Sequence, residues 1–219
     1  MFIGHFALGF AAKRVAPRVS LAVLFGAAQF ADLLWPVLLA FGIEQVRIDP
    51  GNTRFTPLDF VSYPWSHSLL MLLVWGALLG TVYFAFTKNS RGAWIIAALV
   101  VSHWFLDWVT HLPDMPVWPG GPKYGLGMWK SLLLTQAVEL AMWVAGFAIY
   151  ARVTRAKDEQ GKWGFRILVL LLYVAYLASS FSGPPPSVKA IWITAMLGTL
   201  VTLILAWWAD LHRESVTTT

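Results

Sequence analysis

Cysteine is absent from the 219 residues, and only 12% of them are charged. The first absence excludes disulfide frameworks, thiolate metal sites and cysteine nucleophiles, without fixing a compartment. The second excludes an ordinary water-soluble domain, which is about a quarter charged. A dense basic stripe is missing too. The formal net charge is +5, but the lysines and arginines are scattered over short segments, so no nucleic-acid partner is expected. A secretory leader carries positive charge before its apolar stretch. Here residues 1–12 are apolar and Lys13, Arg14 and Arg18 follow them, so these residues are expected to stay in the folded protein. No linker or repeat divides the chain, and residues 1–219 read as a single transmembrane domain.

What the chain has instead is apolar length. Hydrophobic residues make up 58% of it, and the mean hydropathy is +0.64. A helix needs about 20 apolar residues to cross a bilayer. Runs of that kind fall at 19–42, 68–87, 92–112, 131–151, 165–182 and 188–209. The predicted fold is therefore all-α: a polytopic bundle of six spanning helices. Residues 1–12 are too short to span and predict a half-helix or re-entrant piece. Segments 13–18, 88–91 and 152–166 carry the Lys and Arg excess, whereas loop 43–66 has two arginines against three acids. The positive-inside rule puts the three basic segments on the cytoplasmic side and loops 43–66, 113–130 and 183–187 outside. Trp65, Trp118, Trp129, Trp163, Trp207 and Trp208 fall near span ends, as an aromatic belt requires.

Four of the five histidines, His5, His67, His103 and His111, lie in or beside apolar runs, and so do Asp32, Asp107 and Glu139. An ionisable group at membrane depth costs on the order of 3 kcal/mol, so such groups face partners or a polar cavity. His103, Asp107 and His111 are spaced by four and predict one helix face. With alternating spans six of these groups converge on the outer half of the membrane, and His5 joins them if residues 1–12 enter from outside. Pro36 lacks the N–H that would bond the carbonyl of Asp32, which predicts a kink there. Histidine nitrogen with carboxylate oxygen suits zinc, and also manganese or iron. Such an ion acidifies bound water and polarises an ester or phosphoryl oxygen. On this reading His5, Asp32, His67, His103, Asp107 and His111 are the metal ligands, and Glu139 is the base or an extra ligand. Asp49, Asp59 and Asp114 read as loop residues and His212 as unrelated. Arg47, Arg54 and Lys123 are placed to attract an anionic lipid headgroup.

In order along the chain stand Gly4-His5, Ala31-Asp32-Leu33-Leu34-Trp35-Pro36, Trp65-Ser66-His67-Ser68, Ser102-His103 through Asp107, and Val117-Trp118-Pro119. Over residues 1–120 this series resembles the bacterial inner-membrane metal-dependent hydrolases, a family also labelled LexA-binding inner-membrane-associated hydrolases. More distantly the order of ligands is similar to that of zinc-dependent phospholipase C, with Asp107 and Glu139 in the acidic positions. Leu34 and Trp35 stand where the membrane family has further ligands. Thr135 stands where the phospholipase has a histidine, which implies a reduced site of one or two ions. The resemblance implies a bacterial inner membrane, a divalent metal with zinc foremost, membrane lipid as surroundings and a lipid-like ester or phosphoester as substrate. Residues 151–219 add two helices without a known motif. The competing expectations are a proton- or metal-coupled transporter using the same cluster, a haem protein with two histidine ligands, and a non-catalytic membrane partner of a regulator.

Overall fold

The computed structural model describes residues 1–216 and is mostly helical. Short α1 (Ile3–Ala12) is followed by α2 (Leu21–Ala28) and α3 (Phe30–Ala40), then by a hairpin of β1 (Gln45–Ile48) and β2 (Leu58–Ser62). One turn, α4 (Pro64–His67), leads into α5 (Leu69–Thr87), α6 (Ser90–Thr110), α7 (Leu132–Val153), α8 (Glu159–Phe181) and α9 (Val188–Leu211). Two-residue strands β3 (Met115–Pro116) and β4 (Lys123–Tyr124) pair in the α6–α7 loop, and β5 (Thr154–Ala156) pairs antiparallel with β6 (Arg213–Ser215).

Among the described residues five helices, α5 to α9, are long and apolar enough to cross a membrane, and there are six if the bent pair α2–α3 counts as one span. The chain is a multi-pass membrane protein. With no water in hydrocarbon, every backbone group must be bonded within the segment, and helices do this. Their starts are set by side chains that accept first-turn amides: Ser20, Ser68, Asn89, Ser131, Asp158 and Ser187 cap α2, α5, α6, α7, α8 and α9. The run 165–182 therefore begins earlier than hydropathy alone predicts, at Glu159 behind the Asp158 cap.

The first span differs from expectation. It is two helices bent by 59°, and the break falls at Gln29, which has non-helical backbone angles. Pro36 lies inside α3 without ending it.

Close approach of helices relies on small residues, as membrane bundles do. A Cβ on Gly76 or Gly80 of α5 would lie 2.9 Å from a backbone oxygen of Ala97 or Ala93 on α6. On α7, a Cβ at Gly146 would lie 2.5 Å from the Ala7 oxygen of α1. Replacing Gly146 with leucine should therefore push α1 off α7 and carry His5 out of place. The expected readout is a lower unfolding temperature in detergent; an unchanged value would refute this packing.

The basic segments share one end of the bundle with residues 210–216. There Lys13 Nζ donates to Asp210 Oδ2 at 2.7 Å and to the Val19 carbonyl at 2.9 Å. Leu21 N donates to the same carboxylate at 2.9 Å, and the Tyr150 hydroxyl also donates to it at 2.7 Å. One buried carboxylate thus ties α1, α2, α7 and α9 together. Removing one partner of a buried pair costs on the order of 3–5 kcal/mol, so Asp210→Ala should be the most destabilising change at this end. Equilibrium unfolding in detergent checks this, and a change under 1 kcal/mol would contradict it.

Candidate metal centre

The site lies between the middle of the bundle and the end opposite the basic one, where loops 41–68 and 111–131 fold over it. Asp107 is at its centre. His5 Nε2 is 3.0 Å from Asp107 Oδ1, and His103 Nε2 is 3.0 Å from Asp107 Oδ2. His67 Nε2 and His111 Nε2 stand 3.8 and 3.9 Å from the same Oδ2. Asp32 completes the group, 3.5 Å from His67 Nε2 and 3.8 Å from His103 Nε2. The Met1 amine also contacts Asp107 Oδ1, and Thr110 Oγ1 at 3.2 Å. The rings of His5 and His103 stack with centroids 3.8 Å apart. All six candidate ligands are therefore brought together, from α1, α3, α4 and α6.

Each contribution has a local cause. Ala28 ends α2, and a helix's last carbonyls have no partner within it. The Ala28 carbonyl accepts the Nδ1 proton of His103 at 2.8 Å. The break at Gln29 also puts Asp32 in the first turn of α3, where a carboxylate is favoured by the helix dipole. α6 stops at Thr110, so His111 is not stacked on the helix face with His103 and Asp107. It is the C-cap in extended conformation, its N–H bonded to the Asp107 carbonyl at 2.7 Å.

Three histidines are oriented from behind. His103 bonds the Ala28 carbonyl. His67 Nδ1 is 2.7 Å from Ser66 Oγ, and that hydroxyl donates to Glu44 Oε2 at 2.5 Å, so it accepts the imidazole proton. Glu44 is held in turn by the backbone amides of Trp65 and Ser66 at 2.8 and 2.9 Å. His111 Nδ1 donates to Asp114 Oδ1 at 3.0 Å, and the Tyr63 hydroxyl donates to the same oxygen at 2.6 Å. Burial first, and then the Asp114 carboxylate, push the Tyr63 phenol well above its usual range, so it remains a donor. In each case Nδ1 is held from behind and Nε2 faces the carboxylates. Metal-binding histidines are commonly supported this way.

Glu44 and Asp114 were not among the residues that spacing singled out. Glu44 gave no signal in the sequence beyond lying in an acid-rich loop, and Asp114 read as a loop acid. Glu139 is in the same region with both carboxylate oxygens engaged: they accept the amides of Phe2 at 2.9 and 3.1 Å and of Gly4 at 3.0 Å. It secures the start of α1, and with it His5. Arg47 pairs with Asp59 across the hairpin at 2.5 Å and Lys123 donates to the Val61 carbonyl at 3.1 Å, so of Arg47, Arg54 and Lys123 only Arg47 makes an ion pair among the described residues. His212 bonds Asp158 at the basic end.

The centre is closed on most sides. Side chains of His5, His67, His103, Asp107 and His111 are 4% exposed or less, whereas that of Asp32 is 37% exposed. Phe60 and Trp129 lie over His111 with ring centroids 4.7 and 4.1 Å away. Asp32 is the open side.

No known protein family matches this chain, and neither does any curated protein or solved structure.

Proposed function

We propose that this cluster holds a divalent cation and that the protein is a membrane-embedded, metal-dependent hydrolase of an ester or phosphoester in a lipid-like substrate. One observation carries the reading. His103 has its proton on Nδ1, yet its Nε2 is buried without a hydrogen-bond partner 3.0 Å from a carboxylate oxygen. An imidazole nitrogen and a carboxylate oxygen facing each other out of water need a cation between them, and a divalent metal supplies one.

The spacing supports the same reading. A tetrahedral ion with ligand bonds of about 2.0–2.1 Å has ligand–ligand edges near 3.3 Å, and the His67, His103, His111, Asp32 and Asp107 separations run from 3.0 to 3.9 Å. Two overlapping groups meet the requirement, His5 with His103 and Asp107, and Asp32 with His67 and His103. Nitrogen with carboxylate oxygen favours zinc, with manganese and iron next. The ion supplies Lewis acidity to the scissile group. Asp107 is the central ligand, the histidines are held by Ala28, Ser66 and Asp114, and Asp32, the open carboxylate, is the group in reach of a substrate for proton exchange. Glu139 keeps α1 in position. By the positive-inside rule the basic end would face the cytoplasm and the centre the outer side; the bacterial inner membrane is what the family resemblance implies.

Elemental mass spectrometry of detergent-purified protein tests the metal, and cleavage of phosphoester and carboxylester lipids with zinc, manganese or iron tests the reaction. Stoichiometric metal with hydrolysis supports the proposal; bound metal without hydrolysis of any of these lipids overturns the substrate class. A transporter is the second reading, favoured by the broken span α2–α3 and the half-helix α1 that both end at the cluster, since broken helices mark transport sites. Metal or proton flux into proteoliposomes that Asp107→Asn abolishes would decide for it.

A further inference from the structure

We propose that α7 carries a binding site for one anionic diacyl phospholipid at the basic end, independent of the metal centre. Two apolar grooves run along its outer surface and share Leu140 and Val144. The first, about 590 Å³, is floored by Ala137, Ala141, Ala145 and Ala148 and finishes at Arg152. The second, about 410 Å³, lies between α7 and α8 and includes Arg166. Both volumes are ligand-sized, within the range of roughly 300–1,000 Å³ usual for such sites.

Their dimensions fit acyl chains. Residues 137 to 152 on a helix span roughly 22 Å at 1.5 Å per residue, enough to run from the headgroup level past the bilayer midplane, about 15 Å into the hydrocarbon. The two grooves flank one ridge, as the two chains of a single lipid would.

Charge complementarity identifies the head. Arg152 and Arg166 are exposed, and neither makes an ion pair among the described residues. The Arg166 guanidinium lies 5.0 Å from the Trp163 ring, one turn toward the basic end, so its charge reaches for the headgroup region. A second copy of the chain offers these arginines no free acid at this level. Asp158, Glu159, Asp210 and Glu214 are engaged with His212, Lys162, Lys13 and Arg155. A lipid phosphate brings the missing negative charge together with the apolar filling.

The test is native mass spectrometry of the full chain in mild detergent, titrated with phosphatidylglycerol or with phosphatidylcholine of the same chain length. Two membrane-surface arginines predict a preference for phosphatidylglycerol of roughly 30-fold. Arg152→Gln with Arg166→Gln should abolish that preference. Ala145→Trp, on an exposed position, should instead lower retention of both lipids by filling a groove. The metal content of the same samples should not change, so the outcome is separate from the fate of the metal centre. Equal retention of the two lipids, a preference that survives the double arginine change, or a dimer that Ala145→Trp dissociates would overturn the proposal.

Discussion

Asp107→Ala should take the bound metal from stoichiometric to background. No other residue of the centre is within 4 Å of four histidines, through Oδ1 for His5 and Oδ2 for His67, His103 and His111. Removing it takes away the ligand shared by every neighbour. The apo protein should lose stability as well, because a buried polar group left without its partner costs about 1–3 kcal/mol, and His5 and the Met1 amine both depend on Asp107. Asp107→Asn separates the two effects: it keeps the volume and one acceptor oxygen while removing the charge. We expect Asp107→Asn to fold with nearly native unfolding temperature and to bind no metal. Metal retained at the wild-type level in Asp107→Asn would remove the metal centre from consideration, and the histidines and carboxylates would then be partners of one another.

The second large effect is expected from residues that touch no ion. Ser66→Ala removes the hydroxyl between His67 and Glu44, and Asp114→Asn removes the charge behind His111. Each frees a ring to rotate or change tautomer. Outer partners of this kind are worth about 10- to 100-fold in metal affinity. Competition against a chelator of known affinity should show that loss for each variant, while the double variant Ser66→Ala, Asp114→Asn should lose more than either alone. Both side chains lie in the loops over the centre, outside the spanning helices, so the bundle should persist. Affinity unchanged in both single variants would mean that the Nδ1 contacts hold the loops and not the ligands.

The hydropathy of the chain by itself determined the spans. Hydrocarbon forces each long apolar run to be helical, so α5 to α9, the run that folds as α2–α3 and the short N-terminal piece could be read with ends correct to a few residues, apart from α8, which starts earlier at its Asp158 cap. The same solvent argument marked the site. Because an unpaired ionisable group is expensive at that depth, His5, Asp32, His67, His103, Asp107 and His111 stood out before any packing was known, and they do converge.

Tertiary structure decided the rest, because it depends on what long-range backbone groups need. Glu139 looked like a free base until α1 folded back and placed the amides of Phe2 and Gly4 on it. The break in the first span falls at Gln29, not at Pro36; no glycine or proline at position 29 signals it, and the Ala28 carbonyl there is used by a histidine 75 residues away. Glu44 and Asp114 are ordinary loop acids in sequence. They become supports for His67 and His111 because two loops close over the centre, and an acid buried in such a place must find donors. Apolar length is a local property and can be counted along the chain; the partner of a polar group is a property of the fold.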